Sequence, residues 1–329
     1  MNTIPTELLR DIFSRCSEYS PVLKETCYEW NEILSNKSVN KVVLSFEKMA
    51  ERGHIDLCKY IGRDRINANT IFCILLHAAK GGHLNIMRLA KEWGANNYDE
   101  ALNYAAMHGK ILAMRLLKKW GAISYYSSLA SASEVGQIPA MFLLKEWGAA
   151  LHHQPLARAA KGGQIEAMHL LKEWGAIYYD YALGKAAKRG HIPAMFLLKE
   201  WGITDYDYAL GESAKSGQIA VMHLLKEWGA TNYDNALINA AKSGQIAAMH
   251  LLKEWGAINY NRALRSSAMG GQIPAMHLLK EWGADEYDWA LAVAAEFKQI
   301  QAMHLLKEWG ATDYDSDDDS DDDYDSDDE

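Results

Sequence analysis

Histidine is the residue whose type and spacing in this sequence first suggest chemistry. His223, His250, His277 and His304 recur every 27 residues, with His169 in the same register. A row of imidazoles invites zinc, which takes nitrogen at about 2.1 Å in a tetrahedron drawn from several directions. Packed hairpins lie about 8–10 Å apart, so a row with one imidazole per hairpin cannot close that cage. Solvated surface histidine follows as the expectation. Cys16, Cys27, Cys58 and Cys73 all fall in the first quarter without a CxxC pair, which favours reduced thiols over zinc or a disulfide framework. HExxH, GxxxxGK[ST] and GxSxG are absent, as is a recognisable Cys and His spacing. Neither catalysis nor a cofactor is expected.

The elements that carry these residues are repeats. Trp93, Trp120, Trp147, Trp174, Trp201, Trp228, Trp255, Trp282 and Trp309 stand 27 residues apart and fit the pattern YDxALxxAAKxGQIxAMHLLKEWGAxx. SFEKMAERGHIDLCKYIGRDRI reads as a worn first copy, with Gly53 placed 29 residues before Gly82. Each unit holds two helical segments separated by glycine. At 100° per residue, Tyr206, Ala209, Leu210, Ser213 and Ala214 share one stripe of mostly small residues. Asn97, Ser124, Asp205, Asn232 and Asn259, just before the tyrosines, are placed to cap these first helices. In the second segment Val221, Met222, Leu224, Leu225 and Trp228 form an apolar arc with tryptophan at its middle, and His223, Lys226 and Glu227 form the wet face. Gly229 then ends the helix in a left-handed conformation. Hairpins this short cannot hide their apolar faces alone, so an all-α solenoid of stacked hairpins is predicted, with tryptophan as core between copies.

Of the 329 residues 49% are apolar, and no run approaches the roughly 18 apolar residues of a spanning helix. The start, MNTIPTELLRDIF, lacks the basic region of a signal peptide, so an intracellular, cytoplasmic protein without a membrane partner is expected, and a monomer. The net charge of −9 becomes +3 once the 12 acids of residues 313–329 are set aside. That nearly neutral body gives no electrostatic case for nucleic acid. Three parts are expected: a helical segment at 1–38, the repeat array at 39–312 and a disordered acidic tail at 313–329.

GHIPAMFLLKEWGI at Gly190–Ile203 and GHLNIMRLAKEWGA at Gly82–Ala95 resemble the second half of an ankyrin repeat, and QPLARAAKGG at Gln154–Gly163 resembles its opening. Ankyrin repeats have 33 residues. The six missing here fall where that family projects its β-hairpin, so an ankyrin-like stack of helix-turn-helix hairpins lacking those fingers is expected. The resemblance implies protein binding. Positions that vary between near-identical copies supply the candidate target-binding strip on the first helices: Tyr104, Arg158, Tyr181, Lys185, Tyr208, Glu212, Asn235, Arg262 and Trp289. Neutral variation of a solvated face is the competing explanation.

Residues 1–38 place Pro5 at a helix start, with Leu8, Leu9 and Ile12 on one side and an apolar helix around Cys27 and Trp30 after YSP. This pattern resembles an F-box, although Ile4 replaces the usual leucine and CSEYSPVLKE lacks the usual acidic-leucine centre. The resemblance implies that Pro5, Leu8, Leu9, Ile12, Cys27 and Trp30 dock a Skp-type adaptor of a cullin ubiquitin ligase while the repeats hold an unknown protein target. The alternative is that these helices only cap the first repeat. An F-box ahead of near-identical short repeats resembles proteins of large DNA viruses of the marseillevirus type, which would make the compartment host cytoplasm. In the tail Ser316, Ser320 and Ser326 each have an acid three places on, resembling acidophilic kinase sites, and the charge alone would also serve solubility.

Overall fold

In a computed structural model the described residues are 48–55, 58, 59, 66–150 and 153–312. They are helices and turns without a strand. The chain divides into two compact units, Met1–Pro155 and Leu156–Glu329. The first contains the hairpins Ala68–Gly81 with Leu84–Glu92, Tyr98–Met107 with Ile111–Trp120, and Tyr125–Glu134 with Ile138–Glu146. The second contains five complete hairpins from Tyr179–Arg189 with Ile192–Glu200 to Tyr287–Glu296 with Ile300–Glu308, preceded by Ile165–Glu173; the helix His153–Lys161 spans the boundary.

Within each unit the first helices of successive hairpins pack on one another, and each second helix packs on its own first helix. Small side chains explain the close approach. In the hairpin of Tyr233–Lys242 and Ile246–Glu254, the buried residues are Ala236, Leu237, Ala240 and Ala241 on the first helix and Ala248, Met249 and Leu252 on the second. This Ala, Leu and Met set recurs through both units as the core. No helix among the described residues is long and apolar enough to cross a membrane.

Both helices of a hairpin stop on glycine. Gln245 N donates to Ala240 O and Gly244 N to Ala241 O, and Ala257 N to Leu252 O and Gly256 N to Lys253 O, the paired bonds of a Schellman ending. Gly244 has φ +67, where an L side chain is strained, and a Cβ there would displace only the flexible end of Gln272 of the next copy, so it is the dihedral that requires glycine. The worn first copy obeys the same rule, with Gly53 at φ +86. In the last copy Lys298 takes this place at φ 56, where no following glutamine approaches. Lys298→Gly is expected to raise the stability of that hairpin by about 0.5–1 kcal/mol, read as a higher urea midpoint.

The capping expected of the residues before the tyrosines occurs in part. Asn232 Oδ1 accepts from Asn235 N at 3.1 Å, whereas Asn97, Ser124 and Asn259 make no side-chain cap bond. The aspartate after the tyrosine instead reaches the next copy. Asp234 Oδ1 accepts from Ile258 N at 2.8 Å and Asn259 N at 2.9 Å, as Asp99 does from Ile123 and Ser124 and Asp207 from Thr231 and Asn232. Asn261 does the same work through Oδ1, accepting from Asp285 N and Glu286 N. Asp234→Ala should therefore cost about 1–2 kcal/mol while Asp234→Asn costs under half of that, compared by chemical denaturation.

Candidate functional site

The tryptophans are not the middle of the core. Each is half-buried, and the centre of the apolar arc falls on Val221, Met222 and Leu225 rather than on Trp228. The reason is the direction of the first helix, which faces those three positions and leaves Leu224 and Trp228 at the edge. Tryptophan nevertheless joins copies. Trp255 lies 5.5 Å from Tyr233 of its own hairpin and 5.3 Å from His223 of the preceding one, with Lys226 Nζ 4.5 Å above its ring. Trp201, Trp228, Trp282 and Trp309 repeat the arrangement, with Phe196 in place of histidine at Trp228. The exposed histidines and lysines of the wet face thus have a task that spacing alone did not reveal: they cover the next indole. Among the described residues no three His, Cys, Asp or Glu side chains gather to hold a metal ion. Cys58 is a free thiol, and its burial pushes the pKa up to about 11.

The varying positions of the first helices lie beside one another from copy to copy. In the second unit the Tyr181 and Tyr208 rings stack at 6.2 Å with 23° between their planes. Lys185 Nζ sits 4.6 Å over Tyr181 and 3.9 Å from Glu212, whose carboxylate also meets Lys188 at 3.3 Å. Burial opposes the charge on Lys185, but Tyr208, Glu212 and Tyr181 outweigh it and raise its pKa. Partial burial raises the Tyr208 phenol, with Lys185 opposing. Further along, Arg265 lies 5.7 Å over the Trp289 ring and 3.7 Å from Glu286. Arg265 was not among the residues expected here, and the Arg, Trp and Glu spacing across one repeat step is the signal that would have found it.

The other expected residues are placed as follows. Tyr104 of the first unit is half-buried, 6.5 Å from His77, and Arg158, Asn235 and Arg262 are exposed. Tyr208 is 42% exposed and Trp289 53% exposed, so both offer aromatic surface although their neighbours hold them. Pro5, Leu8, Leu9, Ile12, Cys27 and Trp30, and Ser316, Ser320 and Ser326, lie outside the described residues.

The crystal structure of the human ASB11 ankyrin repeat domain is similar to this chain, at 24% identity and a TM-score of 0.40, covering 54% of this chain and 96% of that one. No protein-family model matches the chain, and no curated protein does.

Proposed function

We propose that this chain is a non-catalytic protein-binding scaffold that holds a target on the first-helix face of its second unit. One observation carries the reading. The side chains that differ between otherwise near-identical copies form connected aromatic and charged clusters, Tyr181, Lys185, Tyr208 and Glu212 in one and Arg265 with Trp289 in the other. Pre-ordered tyrosine, tryptophan and arginine lose little rotamer freedom on binding, which is what anchors of an interface need. Asn235 and Arg262 are exposed polar positions of the same register.

The resemblance of residues 1–38 to an F-box extends the proposal. Pro5, Leu8, Leu9, Ile12, Cys27 and Trp30 dock a Skp-type adaptor, and the scaffold delivers its target to a cullin ubiquitin ligase. Purified adaptor should bind the intact chain and lose at least about tenfold in affinity to Leu8→Ala with Trp30→Ala, about 1.4 kcal/mol or more. An intact chain that does not bind adaptor leaves a plain scaffold whose first helices only cap the stack. Target binding is tested separately with Tyr208→Ala and Trp289→Ala, expected to weaken a captured partner by tenfold or more, about 1.4 kcal/mol each. Lys226→Gln on the second-helix face should leave that partner bound.

A further inference from the structure

The second helices are almost uniform in charge, since lysine is followed by glutamate before the tryptophan in eight of the nine copies. The exception lies in the first unit. Lys119 takes the glutamate position before Trp120, and Arg88 and Arg115 take the position that is histidine or phenylalanine elsewhere. Arg88, Lys91, Arg115, Lys118 and Lys119 are all exposed, with Glu92 the one acid on Leu84–Glu92 and Ile111–Trp120. None of the five forms an ion pair with a carboxylate among the described residues. Arg88, Lys91, Glu92, Leu116, Lys119 and Trp120 line a shallow depression of about 450 Å³. Lys91 Nζ sits 4.7 Å over the Trp120 ring in it. The net charge of +3 outside the tail is therefore not spread evenly: this face holds a cationic patch with an indole at its floor.

We propose that this face binds the acidic segment 313–329 of a second copy of the chain. That segment, DYDSDDDSDDDYDSDDE, carries 12 acids and no base, and Tyr314 and Tyr324 each stand between two aspartates. The Asp-Tyr-Asp triplets match the patch in chemistry, with phenol against Leu116 and Trp120 and carboxylates against Arg88 and Lys119. A patch on one molecule meeting a segment of another is a head-to-tail contact that can propagate. This departs from the monomer expected of the sequence, gives the acidic run a role opposite to that of a solubility brush, and stands independently of the target face.

Sedimentation of three chains tests it: the full chain, a chain lacking residues 313–329, and the full-length charge reversal Arg88→Glu with Arg115→Glu and Lys119→Glu. At low salt the full chain should associate with rising concentration and each variant should remain monomeric. An equimolar mixture of the two variants should form a one-to-one complex, because one retains the patch and the other the segment. That complex should weaken by about tenfold or more between about 0.05 M and about 0.5 M salt. Far-ultraviolet circular dichroism matching that of the full chain shows that both variants are folded. A full chain that stays monomeric, a truncated chain that associates as much as or more than the full chain, or a mixture that stays unassociated overturns the proposal. So does labelled peptide 313–329 binding the truncated chain far better than a monomeric full chain, which places the segment on its own molecule. Single-stranded RNA that binds the patch and prevents the variant complex at equimolar ratio would make the patch a nucleic-acid site and overturn it as well.

Discussion

Leu237→Ala is expected to cost the second unit about 2–5 kcal/mol, the largest loss of any single truncation considered for this molecule. Leu237 is fully buried on a first helix that packs against both neighbouring first helices, so truncation leaves a cavity inside that layer. Urea denaturation checks it, and a loss below about 1 kcal/mol would mean that the first helices do not form the core.

Trp255→Ala is expected to cost about 2–3 kcal/mol, less than Leu237→Ala despite the larger side chain. The indole is half-buried, so only part of its surface leaves water, and its ring contacts with Tyr233 and His223 add about 0.5–1.5 kcal/mol each. The Lys226 contact at 4.5 Å is exposed and contributes about 0.5–1 kcal/mol, so Lys226→Met should cost under 1 kcal/mol. The order Leu237, Trp255, Lys226 in decreasing cost, measured under one set of conditions, is the expected outcome. A Trp255→Ala loss above that of Leu237→Ala would restore tryptophan to the centre of the core.

The period, the two helices per copy and their glycine endings were legible because they rest on local rules: 3.6 residues per turn, small residues on one stripe and a left-handed residue at each stop. The first-helix stripe of Ala209, Leu210, Ser213 and Ala214 is buried as periodicity predicts. The second helix was misread by about one-fifth of a turn because Trp228 is the most apolar-looking member of its arc, and size is a poor guide to depth when the facing helix is lined with alanine. The Asp99, Asp207 and Asp234 bonds to the next copy were not legible at all. An aspartate one place after a helix-starting tyrosine looks like a first-turn acid serving its own dipole, and only the stacked neighbour shows that it serves another chain segment. The same holds for the target face: variation between copies picked out Tyr181, Lys185, Tyr208 and Glu212, but their mutual stacking and pairing depend on the step between hairpins, which spacing does not fix.

Native-state hydrogen exchange on Trp255→Ala tests most directly that successive copies are held together by shared side chains. Protection should fall in residues 219–228, which supply His223 and Lys226, and in 233–254, while 287–308 keeps more of its protection. Protection unchanged in 219–228, with loss confined to the immediate neighbours of residue 255, would contradict the account, because the hairpin that covers the ring would then not feel its removal.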